Sequence, residues 1–230
     1  MIQSRSLISE AEMKSPIMEA FRSLRTNLQF SKADGRIQKI MLTSASSGEG
    51  KSTTAANLAI ALAQNNKKVL LIDADLRKPV QQGLFGLRKF GLTNILVEEK
   101  LVEEVIQPTK IANLSLLGSG PLPPNPAELL DSERMRNLLE YLETKFDFLI
   151  LDVPPVIPVT DAVILAAKVD GIVLVINTRM TRPELAQQAK NQLLKANGQI
   201  LGVVLNQVEV DRKHANYYYY NENQNKTVHH

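Results

Sequence analysis

The sequence predicts an α/β fold with a mostly parallel central sheet and helices on both faces. Three observations carry that reading. Short apolar runs recur without polar alternation, the pattern of strands buried on both sides. Helical segments separate them, as parallel crossovers require. The first run ends in a loop of small residues and glycine that opens directly into an alanine-rich helix.

The elements follow in order. Ser15–Ser31 is an amphipathic helix, with Ser15 as cap, Pro16 in the first turn, and Ile17, Phe21, Leu24 and Leu28 on one face. Asp34-Gly35 breaks it. Lys39–Thr43 is a strand, Ser52–Gln64 a helix, and Val69–Asp73 a strand that ends in aspartate. Thr93–Val97 and Val102–Ile106 are short helices and Leu114–Leu117 a strand. Pro121–Pro126 is a proline-rich turn. Ser132–Lys145 is a helix, Phe148–Asp152 a strand, Val159–Lys168 a helix, Ile172–Asn177 a strand, Pro183–Ala196 a helix and Ile200–Asn206 the last strand. One domain over residues 1–210 results, with a polar, aperiodic and flexible tail over residues 211–230.

Composition narrows the functions. The chain has 230 residues, 44% hydrophobic and 22% charged, enough apolar material for one sizeable core. It has no cysteine, which removes disulfides, thiolate metal sites, iron–sulfur clusters and cysteine nucleophiles, and suits a reducing cytoplasm. A net charge of +3, with Lys and Arg scattered among Asp and Glu, gives no nucleic-acid footprint. The first 15 residues lack the apolar stretch of a signal peptide, and no segment approaches the roughly 20 apolar residues of a membrane span. Membrane association is therefore expected through a partner.

The chemistry concentrates at strand tips. Ala45-Ser-Ser-Gly-Glu-Gly-Lys51-Ser52 matches the phosphate-loop pattern, with Ala45 where glycine is usual. Small residues between a strand and a helix let successive backbone N–H groups face phosphate oxygens, and the helix N-terminus adds partial positive charge. Ser47, Gly48, Glu49, Gly50, Lys51, Ser52 and Thr53 are the candidate nucleotide-binding residues. Lys51 reaches the β and γ phosphates, and the Ser52 hydroxyl ligates Mg²⁺. Asp152, at the tip of Phe148–Asp152, is a second candidate for that metal. Asp73 and Asp75 sit together after Val69–Ile72. Paired carboxylates there need a nearby cation or serve as proton acceptor for an attacking hydroxyl. Asp75 is equally readable as a turn residue or a partner of Arg77 or Lys78.

Two further features stand outside the loop. Glu19, Arg22 and Arg25 spread over about a third of a helix circumference. Spacing alone reads them as an intrahelical ion pair with solvated arginines. Tyr217, Tyr218, Tyr219 and Tyr220 stand in a row in the polar tail, either as phosphoacceptors or as an aromatic interaction tag.

Together these segments resemble the bacterial tyrosine kinases that regulate exopolysaccharide and capsule synthesis, a branch of the partitioning-type phosphate-loop ATPases. The resemblance spans nearly the whole chain: Glu19-Ala-Phe-Arg22-Ser-Leu-Arg25, Ser47-Gly-Glu-Gly-Lys-Ser, Ile72-Asp-Ala-Asp-Leu-Arg-Lys-Pro79, Phe148-Leu-Ile-Leu-Asp152 with Pro154-Pro155, and the tyrosine cluster. Ser46 stands where partitioning ATPases carry a second lysine, a departure that suits the kinase branch. The resemblance implies Mg-ATP as phosphoryl donor, with Asp73 activating the acceptor tyrosine and Ser52 and Asp152 serving Mg²⁺. It implies that Asn206 reads the adenine edge, against a plain turn role. It also implies ring assembly through Glu19, Arg22 and Arg25, and phosphorylation of Tyr217–Tyr220 in trans. A separate transmembrane activator would recruit the cytoplasmic chain to the membrane. The alternative is a nucleotide switch that phosphorylates no protein.

Overall fold

A computed structural model describes residue 7 and residues 15–31, 37–87, 90–97 and 100–209. The tyrosine cluster and the tail lie outside the described residues. The strands are β1 (Lys39–Ser44), β2 (Val69–Asp73), β3 (Gln107–Pro108), β4 (Leu114–Leu117), β5 (Phe148–Asp152), β6 (Gly171–Asn177) and β7 (Ile200–Asn206). They form one seven-stranded sheet in the order β3-β4-β2-β5-β1-β6-β7. All neighbours run parallel except β3, which pairs antiparallel with β4.

Successive residues of the central strands feed opposite cores, because side chains alternate across a pleated sheet. Met41, Leu70, Ile72, Leu149 and Leu151 pack on one face. Ile40, Leu42, Leu71 and Ile150 pack on the other. This is why the strands read as unbroken apolar runs. The first face is covered by α6 (Pro126–Asp131), α7 (Glu133–Glu143), α8 (Asp161–Ala166) and α9 (Pro183–Lys195), through Leu130, Leu138, Leu139, Leu165 and Leu193.

The second face is covered by α2 (Lys51–Ala63), itself covered by α1 (Pro16–Phe30). This sandwiching explains the alanines of α2. Ala55, Ala56, Ala59, Ala61 and Ala63 are buried along with Leu58, Ile60 and Leu62, leaving the helix no solvated stripe over most of its length. Truncating Leu58 to alanine in such a position typically costs about 2–5 kcal/mol. Helix α1 starts as its sequence directs, with Ser15 Oγ accepting from Met18 N and proline in the first turn.

Three elements depart from the sequence reading. The proline-rich stretch opens into α6, because Pro126 at the first helical position has no N–H to lose. The helix α3 (Gln81–Phe85) and the two-residue β3 are the others; α4 (Leu92–Leu96) and α5 (Val102–Val105) lie between them. The outermost strand β7 is also less covered than a central strand, with Val203 and Leu205 exposed.

Candidate active site

The sheet brings the candidate carboxylates together. Asp73 and Asp152 are register partners across β2 and β5, and Leu42 of β1 pairs with Asp152 from the other side. The loop that leaves β1 after Ser44 therefore starts beside both aspartates. A cleft of about 1120 Å³ opens there, lined on one side by Ser47, Gly48, Gly50, Lys51, Ser52 and Thr53.

The loop's shape rests on two glycines. Gly48 and Gly50 have φ of 86° and 93°, the left-handed region that only glycine enters without strain. A Cβ on Gly50 would also lie 2.1 Å from Asn206 Nδ2. That close approach exists because Asn206, at the tip of β7, donates from Nδ2 to the Glu49 carbonyl at 2.9 Å. Its Oδ1 accepts from Gln207 N. Asn206 lines the cleft, as expected of an adenine reader, yet its amide here braces the loop.

Glu49 does not line the cleft. Its side chain is 1% exposed and turns under the loop, where Oε1 accepts from Ser46 N at 2.7 Å. Burial pushes its carboxyl pKa up, and the Ser46 N–H partly offsets that. The nucleotide-binding role expected of the loop at Glu49 rests on its backbone N–H and is untouched by this side-chain placement. A short carboxylate beneath a tight turn closes that turn and leaves the inner surface to backbone.

Lys51 Nζ sits at the centre of the charged cluster. It donates to Asp75 Oδ2 at 2.8 Å, Asp152 Oδ1 at 3.1 Å and Ser52 Oγ at 3.2 Å. Burial pulls its pKa down, but attraction to Asp152 and Asp75 outweighs that and leaves the net shift upward. Asp73 behaves differently. Burial, then repulsion from Asp152, raise its pKa to about 7. Its Oδ2 accepts from Val80 N at 3.0 Å and Gln81 N at 2.9 Å, and its Oδ1 from Asp75 N at 3.3 Å. Asp73 is fully buried and is not among the residues lining the cleft. Of the two neighbouring aspartates, Asp75 is the one that lines it.

Other sequence candidates fall in different places. Arg22 pairs with Glu19 at 3.1 Å, one turn away and exposed. Arg25 instead turns inward, its Nη1 donating to the Ala61 carbonyl near the end of α2 at 2.9 Å. Two partnerships that sequence reasoning missed complete the surroundings. Arg77, named from the sequence as a partner for Asp75, makes a two-pronged pair with buried Asp161, at 2.9 Å for each contact. Gln81 donates from Nε2 to Asp152 Oδ2 at 2.8 Å and to the Ser52 carbonyl at 2.9 Å. Neither partnership has a sequence signal, because the pairs lie far apart in the chain.

The donor set suits magnesium. Among the described residues no group of three His, Asp or Glu side chains forms a metal cage. Magnesium needs none when phosphate is present, since it takes one or two carboxylates plus phosphate oxygens and water. The Ser52 hydroxyl and the Asp152 and Asp75 carboxylates are hard oxygen donors beside the loop. Among the described residues Lys51 is the ammonium paired with both carboxylates, so the cluster has room for added positive charge.

Comparison with known proteins agrees with this geometry. A family model described as an AAA domain matches residues 37–208. Tyrosine-protein kinase YwqD of Bacillus subtilis (strain 168) is 44% identical over 222 residues, which is 96% of this chain and 93% of that protein. Putative tyrosine-protein kinase CapB of Staphylococcus aureus is 40% identical over 210 residues, covering 91% of this chain and 92% of the relative. The crystal structure of the chimerical protein CapA2B2 superposes with a TM-score of 0.86 at 39% identity, over 90% of this chain and 92% of the other. At that identity and coverage, with the phosphate loop and its facing carboxylates in place, the chain belongs to the bacterial tyrosine-protein kinases.

Proposed function

We propose that this chain transfers the γ-phosphoryl group of ATP to tyrosine hydroxyls in capsule or exopolysaccharide synthesis, its own Tyr217–Tyr220 among them. The observation that carries the reading is Lys51 at the mouth of a glycine loop, held between Asp75 and Asp152. The loop from Ser47 to Gly50 cradles phosphates with backbone N–H groups, and Lys51 moves its charge from carboxylate to phosphate oxygens. Ser52 and Asp152 would hold magnesium, which supplies charge neutralisation on the phosphates when bound. Asp75 faces the cleft, so geometry favours it for accepting the phenol proton. Asp73, behind it, orders the β2–α3 turn through three backbone hydrogen bonds. The phenolic oxygen forms a bond to phosphorus, the bond from phosphorus to the β-phosphate bridging oxygen breaks, ADP leaves, and the phenol proton passes to carboxylate.

Cleft size supports a second occupant beside the nucleotide. About 1120 Å³ exceeds the roughly 300–1,000 Å³ of ordinary small-molecule pockets. The far wall, with Pro154, Pro155, Pro158 and Val159, is apolar enough to take an aromatic ring. Tyr217 lies nine residues after Val208, a reach of roughly 30 Å when extended, enough to enter a neighbouring copy's cleft. Ring assembly through Glu19 and Arg22 fits their exposure. Arg25, expected beside them, is engaged within its own chain. No helix among the described residues is long and apolar enough to cross a membrane. Recruitment by a membrane-bound adaptor belongs to the same proposal.

The test is phosphotyrosine mass spectrometry after incubation with ATP and Mg²⁺. Phosphate is expected on Tyr217–Tyr220, and also on an inactive Lys51→Met chain mixed with an active chain whose four tail tyrosines are phenylalanine. Hydrolysis of ATP with no phosphotyrosine would overturn the kinase reading and leave the nucleotide switch.

A further inference from the structure

Gln81 is the first residue of α3 and is fully buried. It touches three parts of the site at once. Its backbone N–H donates to Asp73 Oδ2, and its side-chain Nε2 donates both to Asp152 Oδ2 and to the carbonyl of Ser52. The orientation of the amide is fixed by chemistry. A backbone carbonyl and a carboxylate are both acceptors, so only the NH₂ end can face them. The carbonyl end is left over. Gln81 Oε1 is buried and has no hydrogen-bond partner among the described residues.

A buried acceptor without a donor normally costs about 1–3 kcal/mol. Such a group in a native site calls for a donor from outside the protein, an ordered water or a ligand. The neighbourhood says which kind. Asp152 and Ser52, the two residues Gln81 bridges, are the pair assigned above to magnesium, and magnesium keeps several of its waters when bound. A metal-bound water is a strong donor. Asp152 is also the carboxylate whose orientation matters most, since Oδ1 is taken by Lys51 and Oδ2 by Gln81.

We propose that Gln81 is a positioning residue of the metal site: its NH₂ group locks Asp152 against the first turn of α2, and its carbonyl oxygen accepts a hydrogen bond from a water on the magnesium ion. The inference rests on the nucleotide reading above. Hydrogen-bond partners of metal-ligating carboxylates commonly change metal affinity by about 10–100-fold when removed. Gln81 is not among the residues lining the cleft, so nucleotide affinity without metal is expected to stay as it was.

The experiment uses the full chain with ADP and Mn²⁺ as the spectroscopic probe for Mg²⁺. Free Mn²⁺ is followed by electron paramagnetic resonance, and ADP binding is measured separately by calorimetry in EDTA. Gln81→Met keeps length and flexibility without hydrogen bonds. It is expected to weaken Mn²⁺ binding to the ADP complex by roughly 10–100-fold, with ADP affinity in EDTA within about twofold of the parent. Gln81→Asn keeps an amide one methylene too short for the bridge; it should show the same loss and decides the matter if the methionine variant does not fold. Unchanged Mn²⁺ affinity overturns the proposal, as does an equal loss of ADP affinity with and without metal. Failure of the parent chain to bind ADP at all would count against the nucleotide site itself and is read independently.

Discussion

Replacing Asp73 by asparagine should stabilise the protein at alkaline pH. The carboxyl is fully buried, faces Asp152 across two strand tips, and has its pKa raised from 3.8 to about 7. A raised carboxyl binds its proton more tightly folded than unfolded. Its contribution to stability is therefore full below the unfolded value and is lost as pH rises toward the folded one. From about pH 5 to pH 7 the window spans about two units at 1.36 kcal/mol each, on the order of 3 kcal/mol. Asparagine keeps an oxygen for the Val80 and Gln81 N–H groups and gives up only the long 3.3 Å contact from Asp75 N. The gain in melting temperature from Asp73→Asn, relative to the parent, should therefore be larger at about pH 8 than at about pH 5. For a chain of this length the difference is roughly 6–12 °C. Thermal melts of both proteins in EDTA, read by circular dichroism across that range, measure it. Parallel curves for the two proteins would refute the argument, because they would mean that Asp73 titrates alike folded and unfolded.

Two further outcomes follow from the same contacts. Lys51→Met should lower tail phosphorylation at least 100-fold with an unchanged far-ultraviolet spectrum, since it strips the ammonium that serves phosphate; undiminished phosphotransfer would remove Lys51 from the site. Arg22→Ala and Arg25→Ala should separate. The first loses an exposed pair worth about 0.2–0.5 kcal/mol, while the second leaves the Ala61 carbonyl unpaired and costs about 1–3 kcal/mol in urea melts. If light scattering shows an unchanged oligomer for Arg22→Ala, the ring assignment of that residue fails.

Much of the fold was legible because burial on both faces writes itself as uninterrupted apolar runs. Val69–Asp73, Leu114–Leu117, Phe148–Asp152 and Ile200–Asn206 form with the bounds the runs suggest. Helix α3 escaped notice because Gln-Gln-Gly-Leu-Phe has no periodicity to read in five residues. It is held by Asp73 accepting the backbone N–H groups of Val80 and Gln81, a contact between a strand tip and a later turn. β3 is two residues long and contains proline, which sequence reads as anything but a strand. Within the site, the loop and Asp152 were visible from motif and strand end. The different places of Asp73 and Asp75 were not. Both follow the same apolar run and both are buried, and only the turn's geometry brings Asp75 to the cleft wall. Gln81 gave no signal, since its partners lie 29 and 71 positions away.

The register of β2, β5 and β1 also limits how the site can vary. Asp73 and Asp152 stand level on adjacent strands, so the sheet works as a ruler whose graduation is the strand spacing of about 4.8 Å. Neither Cα can slide to absorb a longer side chain, because Asp152 is flanked by a ladder on both sides. An aspartate-to-glutamate exchange moves the charge outward by one carbon–carbon bond, roughly 1.5 Å. That length is comparable to the whole margin separating a hydrogen bond from a broken contact. Chemically mild exchanges at these tips are therefore mechanically large.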